Sequence, residues 1–168
     1  MTKLKKFGGK YKDETVDRIA RYFGFSAGLY FGSDVPDENR IKAAKKTLKE
    51  WTHGHDELFV ILEDKETAGF VHINYRTDNT AWIEDIYVDE LKRGKGIATR
   101  VIALSEDKIK AHRGYISICL DASPDNKAAL AFYHKLGYVT LGMITVRKEL
   151  KKSDRKNEIE FLGLTYKY

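Results

Sequence analysis

The chain has very little cysteine and no long apolar run. Cys119 is the only cysteine among 168 residues, which excludes a disulfide framework and a cysteine-rich zinc site. The longest apolar run, residues 58–62, is far shorter than a membrane-spanning helix, and the N-terminal residues lack the apolar stretch of a secretion signal. We therefore expect a cytoplasmic protein and exclude membrane-spanning, collagen-like and low-complexity classes.

Size and charge leave several functions open. A chain of 168 residues with 42% hydrophobic content can bury a hydrophobic core without disulfides or a structural metal. We therefore expect residues 1–168 to form a single domain. Lys and Arg number 30 against 25 Asp and Glu, for a net charge of +5. That excess is compatible with an anionic ligand, with nucleic acid or with neither.

Hydrophobic spacing predicts two helices at the start of the chain, then three strands, and then helices and strands in alternation up to two C-terminal strands. Two helices come first, separated by residues 24–32 (GFSAGLYFG), which we expect to be a ligand-facing loop. The full predicted order is α, α, β, β, β, α, β, α, β, β, with the later elements at residues 94–112, 116–120, 125–136, 138–148 and 158–168. A strand, helix, strand unit inside an otherwise antiparallel sheet indicates an α/β (α+β) fold, with a mixed central sheet flanked by helices.

One junction between a strand and a helix has the features of an anion site. In IEDIYVDELKRGKGIATRVI, Gly94 and Gly96 permit close approach of a phosphate to the backbone, and Arg93 and Lys95 add positive charge. We interpret the junction as a pyrophosphate site. It matches neither the dinucleotide-binding fingerprint nor the Walker loop, and the alternative is a helix start that merely uses glycines in its turn.

A second segment, SPDNKAALAFYHKLGY, places polar groups on one face of a helix. Asn126 and Tyr133 are seven residues apart, which is about two helical turns, and Gly137 ends the helix. Taken singly, Asn126 is also explained as a helix cap and Tyr133 as half-buried packing.

The two segments together resemble a known family. Arg93-Gly94-Lys95-Gly96-Ile97-Ala98 resembles the Arg/Gln-x-x-Gly-x-Gly/Ala signature of the GNAT superfamily of N-acetyltransferases. The spacing N-x-x-A-x-x-x-Y-x-x-x-G-Y/F from Asn126 to Tyr138 resembles its second motif, and IEDIYV resembles its central strand. The element order is similar over nearly the whole chain, so the resemblance implies a single-domain GNAT-like fold.

The resemblance also implies the cosubstrate and how it binds. Acetyl-CoA would place its pyrophosphate on the backbone of Arg93, Gly94, Lys95, Gly96, Ile97 and Ala98. Its pantetheine arm would lie along the strand that carries Ile86 and Val88, between splayed central strands. A bulge in that strand would explain why Ile83, Ile86 and Val88 are all apolar.

The same resemblance implies roles for three polar residues. Asn126 would hydrogen-bond near the pantetheine. Tyr133 would protonate the departing thiolate. An attacking amine also needs a base; Glu84 matches the acidic residue seen on this strand in aminoglycoside and streptothricin N-acetyltransferases. Asp85, which strict alternation points to the other face, and water remain alternatives, and so does a role of this acidic pair in substrate attraction alone.

The acceptor is predicted from local charge. Acidic residues gather near the expected thioester, which favours a small cationic amine such as a polyamine or an aminoglycoside, attacked directly in a ternary complex; they are Glu84, Asp85, Asp89 and Glu90. Protein N-termini or lysines remain an alternative, as does a non-catalytic module that binds acetyl-CoA or nucleic acid. Nucleic acid and membrane are not expected partners.

Three further expectations concern metals and assembly. We expect no metal site, because His53 and His55 fit a polar turn before a strand better than a ligand pair. Cys119 is expected to be a small buried side chain rather than a nucleophile. The apolar C-terminal strands are expected to complete the sheet and to contribute to a homodimer.

Overall fold

The computed structural model describes residues 1–30, 37–150 and 155–168, with the side chains of residues 27–30 and 37 left aside. The chain forms two compact units, Met1–Asp121 and Ala122–Tyr168. The first unit contains α1 (Lys12–Tyr30), α2 (Asp37–Glu50), α3 (Ile97–Ala111), β1 (Thr2–Lys6), β2 (Asp56–Glu63), β3 (Glu66–Tyr75), β4 (Thr80–Val88) and β5 (Ser117–Cys119). The second contains α4 (Lys127–Lys135), β6 (Glu158–Phe161) and β7 (Leu164–Lys167).

The first unit is built on a five-stranded mixed sheet with the order β1-β2-β3-β4-β5. Neighbouring strands from β1 to β4 are antiparallel, whereas β4 and β5 are parallel. The parallel pair is joined through α3, as a crossover requires. This confirms the predicted α+β fold with a mixed central sheet.

Helices cover both faces of this sheet. On one face, here called the α1/α2 face, apolar residues of the first two helices pack against the sheet, and the core includes Ile19, Leu48, Leu58, Phe70 and Tyr87. On the other face α3 buries one side, and the ammonium of its Lys108 lies 4.6 Å from the ring centre of Phe59. Because both faces are covered, β3 is buried almost along its whole length.

The N-terminal part differs from the sequence prediction in two ways. Residues 24–30 belong to α1 rather than to a loop, and residues 31 and 32 lie outside the described part of the chain. Gly24 lies within this helix, facing α2: a Cβ there would lie 2.5 Å from Nη1 at the end of the flexible Arg40 side chain. Strand β1 was not predicted, because its sequence TKLKK contains a single apolar residue and pairs along one edge of β2.

The C-terminal part also differs from the prediction. Residues 138–148, expected to be a strand, form none, and β6 and β7 form a separate two-stranded sheet instead of completing the main one. An alternating sequence becomes a strand only where a neighbouring backbone is in reach. Several apolar side chains of this unit are exposed, including Met143, Ile159 and Leu164. The homodimer stays a prediction.

In residues 1–30, 37–150 and 155–168, no helix combines the length and the apolar character needed to cross a bilayer.

Gly69 provides a test of the strand packing next to the candidate site. It pairs with Val88, and a Cβ at Gly69 would lie 1.9 Å from the carbonyl oxygen of Tyr87. Because the obstacle is backbone, we expect Gly69→Ala to lower the free energy of unfolding by about 3 kcal/mol. Urea denaturation measures the change. The control is Gly8→Ala, at an extended position with φ −155° and no neighbour within 4 Å of the added Cβ; equal stabilities of the two variants would contradict this account.

Candidate active site

The turn between β4 and α3 has the backbone of an anion site. Gly94 and Gly96 have φ of +75° and +70°, in the left-handed region that favours glycine. Gly96 is the N-cap of α3 and provides no side-chain hydrogen bond to the first helical turn. The first N–H groups of a helix have no intrahelical partner, and the helix dipole adds partial positive charge there. The turn therefore offers an anion several backbone donors.

The basic side chains of this turn contact backbone carbonyl oxygens and aromatic rings of the protein. Arg93 donates from Nε to the carbonyl oxygen of Val88 at 2.9 Å. Its guanidinium lies 5.3 Å from the ring centre of Phe25 and 5.6 Å from that of Tyr87. Lys95 donates to the carbonyl oxygen of Leu91 at 3.4 Å. Arg93 thus fixes the turn against β4 and α1.

Strand β4 contains the bulge that the sequence suggested. The register passes directly from His72 opposite Asp85 to Ile73 opposite Ile83, so Glu84 is an extra residue. Such an insertion bends the strand and changes the direction of the side chains that follow.

The bulge brings three apolar residues of β4 to one face. Residues directly opposite each other on neighbouring strands share a face. Ile83, Ile86 and Val88 lie opposite residues that alternate along β3, namely Ile73, Val71 and Gly69. Since Phe70 belongs to the α1/α2 face, these apolar residues point to the opposite face, as expected from a bulge.

The bulge also brings both carboxylates to the α1/α2 face. Asp85 lies opposite His72, and its Oδ2 is 2.9 Å from His72 Nδ1. Glu84 accepts a hydrogen bond from Arg76 Nη2 at 2.9 Å, and Arg76 stacks 3.8 Å from the ring centre of Trp82. Strict alternation would have separated the two acidic residues. The structure therefore removes the reason for ranking Asp85 below Glu84.

Strand β4 pairs with β5 over a short stretch at its beginning. Residues Thr80, Ala81 and Trp82 are paired with β5. In the described part of the chain, the edge of β4 beyond Trp82 has no strand on that side. This open edge agrees with the splayed strands that the resemblance implies for a pantetheine arm.

Two predicted site residues lie in the second unit, on α4. Asn126 is the N-cap, and its Oδ1 accepts from Ala129 N at 3.1 Å. The capping alternative for its oxygen is therefore correct, which leaves the amide nitrogen for the proposed ligand contact. Tyr133 is half-buried and lies 5.3 Å and 6.2 Å, ring centre to ring centre, from Phe132 and Tyr138. The predicted roles of Asn126 and Tyr133 stay predictions.

His72 was not among the predicted site residues. It is buried and contacts Asp85 on one side and Asp56 on the other, at 2.8 Å from Nε2 to Oδ1. A signal was present: His72 alternates with the buried Phe70 in a strand that has helices on both faces. The partners could not be read from the sequence, since they lie on two other strands.

A cleft of ≈ 490 Å³ lies at the end of the sheet where β1 ends and β2 begins. Its lining includes the ion pair Lys6–Glu57, with Nζ and Oε1 2.6 Å apart, and the aromatic residues Tyr75 and Tyr115. Burial raises the pKa of Tyr75. Of the predicted site residues, none is among the described residues that line it.

The remaining candidates are two histidines and the cysteine. His53 and His55 lie in the turn between α2 and β2. Cys119 is partly buried rather than fully buried, and burial raises the pKa of its thiol. A thiol in that state is a poor nucleophile at neutral pH.

Comparison with known proteins gives a consistent picture. The model of the Acetyltransferase (GNAT) family matches residues 21–138. The chain is 33% identical over 84 residues to N-alpha-acetyltransferase 30 of Schizosaccharomyces pombe, covering 48% of this chain and 55% of that protein. It is 31% identical over 135 residues to an uncharacterized N-acetyltransferase of Methanocaldococcus jannaschii, covering 76% and 57%. The chain thus spans little more than half the length of these relatives.

A solved structure shows the same fold. A possible acetyltransferase from Clostridium difficile 630 superposes with a TM-score of 0.68 at 16% identity, over 90% of this chain and 99% of that one. Similarity at this identity concerns the fold alone.

The turn before α3 yields a prediction about anion binding. We expect Gly96→Val to weaken CoA binding at least tenfold, because a side chain at φ +70° strains the backbone whose N–H groups would face the pyrophosphate. Isothermal titration with CoA measures the affinity. Gly54→Val is the matched control, with φ +68° and no atom within 4 Å of an added Cβ; unchanged affinity in Gly96→Val, with the fold intact, would remove the pyrophosphate assignment.

Proposed function

The chain belongs to the GNAT family of acetyltransferases, and from that premise we propose that it transfers the acetyl group of acetyl-CoA to a primary amine of a small cationic molecule. Members of this family use acetyl-CoA as cosubstrate. The observation that carries the proposal is the combination, on one strand, of an anion-binding turn at its end and an open edge with a bulge along its length. The whole is proposed to act as one acetyltransferase domain, since the family match spans both units.

The residues of the chain have separate tasks in this proposal. Backbone groups of residues 93–98 hold the pyrophosphate, and the open edge of β4 at Ile86 and Val88 holds the pantetheine arm. Asn126 donates to that arm from its amide nitrogen. Tyr133 gives a proton to the departing thiolate, and a carboxylate at the bulge takes a proton from the amine. Acetyl-CoA supplies an activated acyl carbon, so the attack is direct.

The charges of the described residues narrow the acceptor. Three of the four carboxylates that favoured a polycation have cationic partners: Arg76 for Glu84, His72 for Asp85, and Arg18 for Asp89 with 2.9 Å between Nη2 and Oδ2. Asp56 and Asp85 share His72 as their partner, so the three carboxylates beside the bulge outnumber by one the two basic partners that the described residues give them, Arg76 and His72. We infer an acceptor that presents a single ammonium group there; a polyamine or an aminoglycoside has more charge than this cluster complements.

A second candidate acceptor is the α-amine of a peptide. It also presents one ammonium group to the cluster. One relative, N-alpha-acetyltransferase 30, has a name that specifies α-amines, and it is 33% identical over 84 residues. An amine panel distinguishes the two acceptor classes.

The panel is the direct test of the function. Thiol release from acetyl-CoA should be measured with a monoamine such as tyramine, with spermidine, with kanamycin, and with a tetrapeptide bearing a free or a blocked N-terminus. We expect kcat/KM for the monoamine to exceed that for spermidine and kanamycin by about tenfold. A clear preference for the free tetrapeptide would select the second candidate. Absence of thiol release with every amine, together with absence of CoA binding, would refute the function.

Tyr133 is the second test. A positioned acid contributes roughly 10² to 10⁴ in rate, so we expect Tyr133→Phe to lower kcat by about 10² and to leave the CoA affinity nearly unchanged. Single-turnover thiol release and CoA titration provide the two readouts. Tyr138→Phe, on the aromatic neighbour, is the control. Full turnover in Tyr133→Phe would show that the phenol only packs.

A further inference from the structure

Three strands contribute to a cluster next to the bulge, in which the buried His72 on β3 lies between the partly exposed carboxylates of Asp56 on β2 and Asp85 on β4. His72 Nδ1 is 2.9 Å from Asp85 Oδ2, and Nε2 is 2.8 Å from Asp56 Oδ1. Trp51 of α2 stacks on the imidazole, with ring centres 4.5 Å apart and planes 18° apart. Asn74 donates to the same Asp56 oxygen at 2.7 Å. The ring therefore cannot turn without breaking several contacts.

The two partners of His72 restrict the roles of its ring nitrogens. An ionised carboxylate only accepts hydrogen bonds, and an imidazole donates from both nitrogens only when it is doubly protonated. With both aspartates ionised, His72 therefore holds them as an imidazolium that donates to each of them.

The two carboxylates at the bulge differ in how they can take up a proton. Glu84 is held by Arg76, whose guanidinium does not lose its proton. Asp85 is held by His72, which does lose one. When Asp85 accepts a proton, His72 can pass its Nε2 proton to Asp56, so the added charge is spread over three groups. Asp85 is also the less exposed carboxylate, at 15% against 28% for Glu84.

We propose that Asp85 receives the ammonium group of the acceptor and its proton, and that His72 and Asp56 are positioning residues that act through Asp85. This deepens the proposed function and rests on it. The ammonium gives one proton to Asp85, and the freed nitrogen lone pair forms the N–C bond as the thioester C–S bond breaks. Sulfur takes the electron pair of the C–S bond and is protonated by Tyr133. The nitrogen then loses its second proton to the phenolate of Tyr133, which restores the phenol, and Asp85 releases its proton to water.

The kinetic test compares four variants, using the best acceptor of the panel. We expect Asp85→Asn to lower kcat by about 10² or more and Glu84→Gln to lower it less than tenfold. His72→Gln should lower kcat about tenfold and move the acidic limb of kcat/KM against pH upward, because a donor that holds the ionised carboxylate is lost. His53→Gln, at an exposed histidine in the turn between α2 and β2, should change neither.

The outcomes separate the proposals. A folded His72→Gln with the kcat and the pH profile of the wild type would overturn the positioning role, and so would Glu84→Gln with a larger loss than Asp85→Asn. CoA affinity should be unchanged in all four variants. Loss of CoA binding or of thiol release in the wild type would instead count against the proposed function.

A measurement on the wild type covers the case in which His72→Gln does not fold. A ¹H–¹⁵N correlation spectrum of the imidazole nitrogens at neutral pH should show both ring N–H groups of His72, slowly exchanging because the ring is buried. A neutral imidazole, with one nitrogen unprotonated, would overturn the assignment of His72 as the cation that holds Asp85.

Discussion

Strand β4 has one residue more than the part of β3 that it pairs with, and the rest of the candidate site depends on this insertion. Because Glu84 has no opposite residue, the side chains before and after it are out of phase by one position. Ile83, Ile86 and Val88 then share one face, and Glu84 and Asp85 share the other. A regular strand would have placed one carboxylate among the apolar side chains, where an ionised group without a partner is costly.

The turn at the end of β4 could be predicted because its determinants are local. Two glycines with positive φ, a helix that starts at Ile97 and no capping side chain are consecutive features of one segment. The bulge could be inferred from the positions of three apolar residues. The extent of α1 could not be predicted, because Gly24 suggests a flexible loop in the sequence. In the structure Gly24 lies within α1 and faces Arg40 of α2. Strand β1 and the absence of a strand at residues 138–148 depend on which backbone segment lies alongside. The local sequence pattern does not contain that information.

The charge partners could not be predicted because they come from distant parts of the chain. Arg18 and Asp89 are 71 residues apart, and His72 and Asp56 are 16 apart. Counting acidic residues along β4 therefore overestimates the negative charge that an acceptor meets. The fold brings a guanidinium to Glu84 and to Asp89 and an imidazole to Asp85, and the charge that remains is set by the cluster around His72.

Stability alone does not explain that cluster. Removing charges from water costs several kcal/mol per ion, and replacing a buried ionic cluster by apolar residues of similar volume is often neutral or stabilising. Here an imidazole and two partly exposed carboxylates lie in a sheet that is otherwise rich in apolar side chains, between the bulge and the beginning of β2. An amine that must lose a proton before it attacks needs a carboxylate that is held in place yet able to change its charge. Arg76 holds Glu84 in place but does not give up a proton. His72 holds Asp85 in place and can also give up a proton.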